Sequence, residues 1–241
     1  MDKDLCIVLK TVNYRDYDKM LTLFSREEGK VSAMAPGVRS IKSKLAAAAQ
    51  PLCCAEYEFD LRKGRRYIKN ALIKQTFSKI INDYDRFTAA SVMIELTEKI
   101  LEHAGEWDGL FVRLVMTLDA MEQGEADAKT ALAYFFVQAI DLLGIFPALD
   151  FCAACGKPVE TIQHFNLTEG GAVCADCAGR LGVPAGNKMA AEHFGMLRRV
   201  KPSAAVKYVD KGYMAAFIGM ANGYVARSGD VRLKSMKFIK E

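Results

Sequence analysis

The first 80 residues carry short runs in which apolar side chains alternate with polar ones, separated by turn-forming residues. Leu5–Val12 is rich in aliphatic and β-branched residues, Lys19–Phe24 alternates with period two, and Lys30–Ala35 follows the turn signal Glu27-Glu28-Gly29. Ala55–Leu61 sets glutamates beside Tyr57 and Phe59 and breaks at Lys63-Gly64, and a fifth run extends from Tyr67 to about Gln75. Period two sends successive side chains to opposite faces, so these runs predict five strands. Between the third and fourth, Ser43 caps the strong helix formers Lys44 to Ala49, which predicts a short helix over Ser43–Ala49. Five strands with a helix after the third is the order of an OB-fold β-barrel.

From about Asp83 the apolar period lengthens to that of a helix. Val92, Leu96, Ile100 and Leu101 share one face, as do Leu110, Leu114, Val115 and Leu118, and then Leu132, Phe136, Ile140 and Leu143. Gly144, with Pro147 beyond it, stops the third helix. Helices are also predicted over Ala190–Val200 and Lys211–Ala226, the latter closing the bundle with Met214, Phe217, Ile218 and Val225. The expected class is therefore α+β: a barrel domain over 1–80, then an α-helical domain over 81–241, with a cysteine-rich insert at about 150–180.

Composition adds class and compartment. With 241 residues and 51% hydrophobic content the chain can fill real cores. No uncharged apolar run reaches about 18 residues, and Leu5–Leu9 is too short for a signal segment, so a cytosolic protein without membrane contact is expected. The net charge of +4 conceals a segregation. Residues 1–80 carry 16 Lys/Arg against 9 Asp/Glu, residues 81–150 carry 4 against 13, and residues 151–241 carry 13 against 7. Either charge varies by chance between solvated faces, or the basic ends form a polyanion-binding surface and the acidic middle suits protein contact.

Seven cysteines in a reducing compartment point to metal binding before disulfides. Cys152-Ala-Ala-Cys155 is followed, after 18 residues, by Cys174-Ala-Asp-Cys177. Each two-residue spacer lets a pair of thiolates converge on one ion, and two pairs complete a tetrahedral four-sulfur shell for zinc. Such a shell leaves no position for a reactive water, so the expected zinc is structural. Gly170-Gly171 predicts a hairpin within the insert. His164 is read as a loop or hairpin residue, and His103 and His193 as helical residues without a metal role. Cys6, Cys53 and Cys54 fall on strand patterns as small buried apolar groups.

Two basic clusters stand out in the barrel segment. Arg39, Lys42 and Lys44 follow Pro36-Gly37, while Arg62, Lys63, Arg65 and Arg66 occupy a tight turn before Tyr67. On an OB barrel such cations track nucleic-acid phosphates while exposed rings stack on bases. Tyr14, Tyr17, Tyr57 and Tyr67 serve either as stacking platforms or as core. No phosphate-binding glycine loop, dinucleotide fingerprint, zinc-protease motif or nucleophile elbow is present, so no enzyme activity is expected.

Taken in order, these motifs resemble the bacterial DNA repair protein family RecO. The resemblance rests on Val8–Tyr14, Asp18–Phe24, Gly29–Ala33, Gly37-Val-Arg39 leading to Lys42-Ser-Lys44, the pair Gln50-Pro51, the cysteine pairs and Leu233–Phe238. It implies an OB-fold domain, a helical domain and a zinc module. It further implies binding of single- and double-stranded DNA, annealing of complementary strands, and loading of the RecA recombinase onto DNA coated by single-stranded-DNA-binding protein, together with RecR. The family's cationic motif falls on Arg39, Lys42 and Lys44. Pro36 departs from it, standing where a lysine is common. Arg198, Arg199 and Lys201 are read either as a dock for the acidic tail of single-stranded-DNA-binding protein or as a solvated helix end. The competing classes are an OB-fold and zinc-ribbon adaptor for RNA or protein, and a metal-dependent nuclease, for which no carboxylate cluster is found.

Overall fold

The computed structural model describes residues 2–102 and 107–239. Strands β1 (Asp2–Tyr14), β2 (Asp18–Ser25), β3 (Gly29–Ala35), β4 (Cys54–Arg62) and β5 (Arg65–Gln75) close a barrel in the order β1-β2-β3-β5-β4. All contacts are antiparallel except the closing one, where Ala33 and Met34 run parallel to Arg66 and Tyr67. This is the expected OB-like architecture.

β1 explains why its sequence is apolar without interruption. Cys6 and Val8 face the barrel interior, while Ile7 and Leu9 face the helices, so both faces of the strand are buried. Phe24 of β2 makes the same bridge. It meets Phe111 of α3 (Trp107–Gln123) edge to face at 5.2 Å.

The expected helix at Ser43–Ala49 does not form. The segment makes successive turns, with Ala46 N–H donating to Ser43 O at 3.4 Å and Ala49 N–H to Leu45 O at 3.0 Å. A continuing helix would need Leu52 N–H for Ala48 O, but that N–H donates to Val8 O at 2.9 Å. The Tyr57 hydroxyl takes the Ala48 carbonyl instead. Seven residues yield too few helical bonds to offset nucleation, and the barrel contacts win.

A short α1 (Ser78–Ile81) leads from the barrel into α2 (Tyr84–Ile100), α3 and α4 (Ala128–Leu142). Asp83 caps α2 by accepting from Arg86 N, and Asp127 caps α4 by accepting from Thr130 N. Every residue from Thr130 to Ile140 is buried, so α4 is the central rod of the bundle. Its one buried amide is satisfied: Gln138 accepts from Arg113 at 2.8 Å and donates to Leu197 O at 2.7 Å. The later helices are α5 (Ala175–Leu181), α6 (Lys188–Arg199), α7 (Pro202–Ala205) and α8 (Met214–Ser228). α8 packs on α4 through Met214, Phe217, Ile218 and Val225, as expected. A 3-10 turn over Ser235–Phe238 ends the described chain and lies against α2. His103, read as helical, lies outside the described residues. Among these residues no helix is long and apolar enough to cross a membrane.

Candidate nucleic-acid interface and metal centre

At one end of the barrel a groove of about 410 Å³ opens between the β1–β2 turn and the β4–β5 hairpin. Tyr14, Arg15, Arg62, Arg65, Tyr67 and Lys69 line it beside the carboxylates Asp18 and Asp60, with Pro36 and Leu45 from the segment after β3. The Arg15 guanidinium stands 5.3 Å from the Tyr14 ring and that of Arg62 stands 5.3 Å from the Tyr67 ring. Both rings are half-buried, which holds them in place while leaving area to present. Tyr57, by contrast, is fully buried in the barrel and is core, not a stacking platform. Tyr17 is 64% exposed at the β1–β2 turn.

The cationic segment after β3 is pinned to that same turn. Arg39 N–H donates to Tyr17 O at 2.9 Å, the Arg39 guanidinium donates to Arg15 O at 3.2 Å, and Gly37 N–H donates to Asp18 at 2.8 Å. Arg39, Lys42, Lys44 and Arg65 are all exposed. Two cations of the hairpin are held internally: Arg62 by Asp60 at 2.8 Å, and Arg66 by both carboxylate oxygens of Glu28 at 2.8 and 2.7 Å. Arg66 is not among the groove-lining residues. Lys63, at φ +49, and Gly64, at φ +73, turn the hairpin.

Arg15 was missed from sequence. It sits at φ +53 in a turn, and its place beside Arg62 and Arg65 depends on barrel closure between strands far apart in the chain. The signal available was its position in Asn13-Tyr-Arg-Asp-Tyr-Asp18, a polar turn flanked by rings.

The candidate metal centre is local in origin. Gly156, at φ +72, lets the chain fold back after Cys155, so that Gly156 N–H donates to Cys152 O and Cys152 N–H to Lys157 O, each at 2.8 Å. β6 (His164–Asn166) and β7 (Gly171–Val173) form the expected hairpin. Gly171, at φ +138, cannot be replaced there: a Cβ would lie 2.3 Å from Ala148 O. β7 delivers Cys174 to the N-terminus of α5, whose first turn carries Cys177.

The four sulfur atoms of Cys152, Cys155, Cys174 and Cys177 lie within 4.8 Å of one another. Burial opposes ionisation of Cys152, but the backbone N–H groups of Cys174, Cys155 and Ala154 outweigh it and hold the thiol below its ordinary range. Arg180 donates to the Cys177 sulfur at 2.9 Å and favours its thiolate, yet burial and the three neighbouring thiols push Cys177 up. Four thiolates this close therefore need a cation among them, and the donor set fits a thiophilic ion in a closed tetrahedral shell. His164 stands apart on β6, with Nδ1 3.2 Å from Val183 O. The core around the cluster is small, with Val173, Ala178 and Val183 beside the sulfurs. One ring ties the module to the bundle: Phe165 lies 6.1 Å from Phe194 of α6. Cys6 and Cys53 are buried in the barrel and Cys54 between barrel and helices, and burial raises all three thiols.

Two family models match the chain, recombination protein O N terminal over residues 1–77 and recombination protein O C terminal over residues 81–202. The chain belongs to the recombination protein O family. Relatives named DNA repair protein RecO include that of Caldanaerobacter subterraneus subsp. tengcongensis, 34% identical over 73% of this chain and 70% of its own length. The RecO protein of Anaeromyxobacter sp. strain K is 34% identical over 81% of this chain and 77% of its own length. That of Streptomyces avermitilis is 33% identical, covering 73% of each. The RecO resemblance read from motif order is thus established, and the first family model ends just beyond β5.

Proposed function

We propose that this chain is a DNA repair and homologous recombination mediator that binds single- and double-stranded DNA and anneals complementary strands. The observation that carries this reading is the groove in which Tyr14 and Tyr67 stand beside Arg15, Arg62 and Arg65, continuous with the pinned segment bearing Arg39, Lys42 and Lys44. The cations take phosphates, Lys63 and Arg66 adding to the field, and the two rings offer faces to unpaired bases. Neutralising the phosphates of two strands lowers their mutual repulsion, and complementary bases can then meet. That step breaks no bond, so the protein acts without being an enzyme. Residues 1–80 form the nucleic-acid-binding domain and 81–241 the helical domain, with its zinc module at about 150–180. Zinc held by Cys152, Cys155, Cys174 and Cys177 supplies stability, not chemistry.

Family membership supports the wider role: work with RecR, contact with single-stranded-DNA-binding protein, loading of RecA, and action on DNA in the cytoplasm at the nucleoid. The acidic helical region is suited to the protein contacts. The test is annealing of complementary oligonucleotides without nucleotide. The protein should accelerate duplex formation, and acceleration should fade as salt rises. A chain that binds RNA or protein as an adaptor leaves the annealing rate unchanged, and cleavage of labelled DNA in magnesium would make it an enzyme.

A further inference from the structure

Ile41 is out of place by every local rule. It lies between Arg39 and the lysines Lys42 and Lys44, and its exposure is 104%, the highest of any large apolar residue among those described. Ser43 N–H donates to Ser40 O at 3.0 Å, so Ile41 and Lys42 are the two central residues of a tight turn. Turns favour Gly, Pro, Asn, Asp and Ser, and a β-branched apolar residue gains nothing there from local structure. Nor is the turn a loose excursion in which the side chain could fold back. Its entry is fixed by Ser40 N–H on Gly37 O and Arg39 N–H on Tyr17 O, and its exit by Leu45, which packs against the barrel core. The protein therefore holds this aliphatic side chain out in water, flanked along the chain by Arg39, Lys42 and Lys44. Such breaks in local consistency concentrate at functional positions.

What covers it is constrained by its setting. The flanking cations favour a polyanion, and an apolar tip gains only if that polyanion also presents an apolar face. Unpaired DNA does both, with phosphates for Arg39, Lys42 and Lys44 and a base plane for Ile41. Aliphatic side chains wedge between the base steps of duplex DNA, and the faces of unpaired bases offer the same apolar contact without the cost of unstacking. Tyr17, exposed and bonded through its carbonyl to Arg39, stands beside the same turn. We infer that Ile41 is a base-contacting prong at the tip of the cationic turn, which distinguishes strands with unstacked bases from phosphate backbone alone. This rests on the DNA-binding reading above and adds to it a contact that charge does not supply. During annealing such a prong keeps the bound strand's bases splayed and ready to pair.

The experiment compares two oligonucleotides of equal length, one with bases and one fully abasic, titrated by the full chain and by Ile41→Ser and Ile41→Leu across a salt series. The intact protein should prefer the base-bearing strand. Ile41→Ser should weaken that binding by roughly threefold to tenfold, at or below the lower end of what losing an aromatic stack on one base costs. It should leave abasic binding and the salt slope unchanged, and Ile41→Leu should restore the preference. Because Ile41 touches no core, the serine variant should unfold with the same midpoint as the parent. Equal effects of Ile41→Ser on both strands, or none on either, overturn the prong while leaving phosphate binding intact. Failure of the parent chain to bind either strand overturns the DNA-binding reading and the prong together.

Discussion

Gly29 and Trp107 leave no room for a side chain between them: a Cβ on Gly29 would lie 2.9 Å from the indole Cε2. This contact joins the β2–β3 turn of the barrel to the first residue of α3, and the ion pair of Arg26 with Asp108 lies beside it. Gly29 also sits at φ +77, where other residues are strained. Gly29→Ala should therefore cost about 2 kcal/mol through strain and overpacking together. The chain has a single tryptophan, so its fluorescence reports this junction directly. A shift of the native emission maximum with a lower denaturant midpoint is expected, and an unchanged spectrum and midpoint would show that the contact is not constraining.

Glu95 of α2 anchors the end of the described chain. Its carboxylate accepts from the backbone of Lys234 at 2.8 Å and of Ser235 at 2.7 Å, and from the Ser235 hydroxyl at 2.5 Å. Partial burial acts to raise its pKa, but these donors prevail and lower it from the ordinary value of 4.5. A depressed folded-state pKa stabilises the folded form fully above about 4.5, and that contribution is lost as pH falls through the lower value. Protection of the Lys234 and Ser235 amides, taken against the intrinsic exchange rate at each pH, should fall in that acidic window before the barrel loosens. Glu95→Gln should show the lower protection already at neutral pH, with no further fall through the acidic window.

The cysteines divide into two populations that a thiol reagent can count. Cys6 and Cys53 are sealed in the barrel and Cys54 between barrel and helices, while Cys152, Cys155, Cys174 and Cys177 lie together as candidate metal ligands. Purified protein should carry one zinc per chain. Chelation should expose the four clustered thiols while the other three stay protected until global unfolding. The module's small apolar core cannot hold its shape alone, so Cys152→Ser should abolish zinc retention and loosen residues near 150–180 first. Release of all seven thiols together would mean that the metal supports the entire fold.

Much of this was legible in sequence, for reasons that differ between elements. Both cysteine pairs could be read because a two-residue spacer fixes ligand geometry locally. Strands and long helices could be read because half-buried faces print their period on the chain. β1 nevertheless runs from Asp2 to Tyr14, beyond the apolar run Leu5–Val12, because its charged start pairs with β4 through backbone bonds that leave no apolar trace. Ser43–Ala49 misled because its helix propensity was outweighed by contacts with Val8 and Tyr57, residues distant in sequence. Tyr57 and Tyr67 looked alike as alternating rings, and only barrel closure makes one core and the other a groove wall.

The central claim is that the barrel's cations bind DNA phosphates, and its most direct measurement is the salt dependence of single-stranded DNA affinity. Each phosphate contact on a single strand contributes about 0.7 to the slope of log affinity against log salt. Reversing Arg39, Lys42 and Lys44 to glutamate should therefore flatten that slope by about 2. All three lie outside the buried core, so folding should be unaffected. A variant that stays folded and binds with the parent's slope would contradict the account.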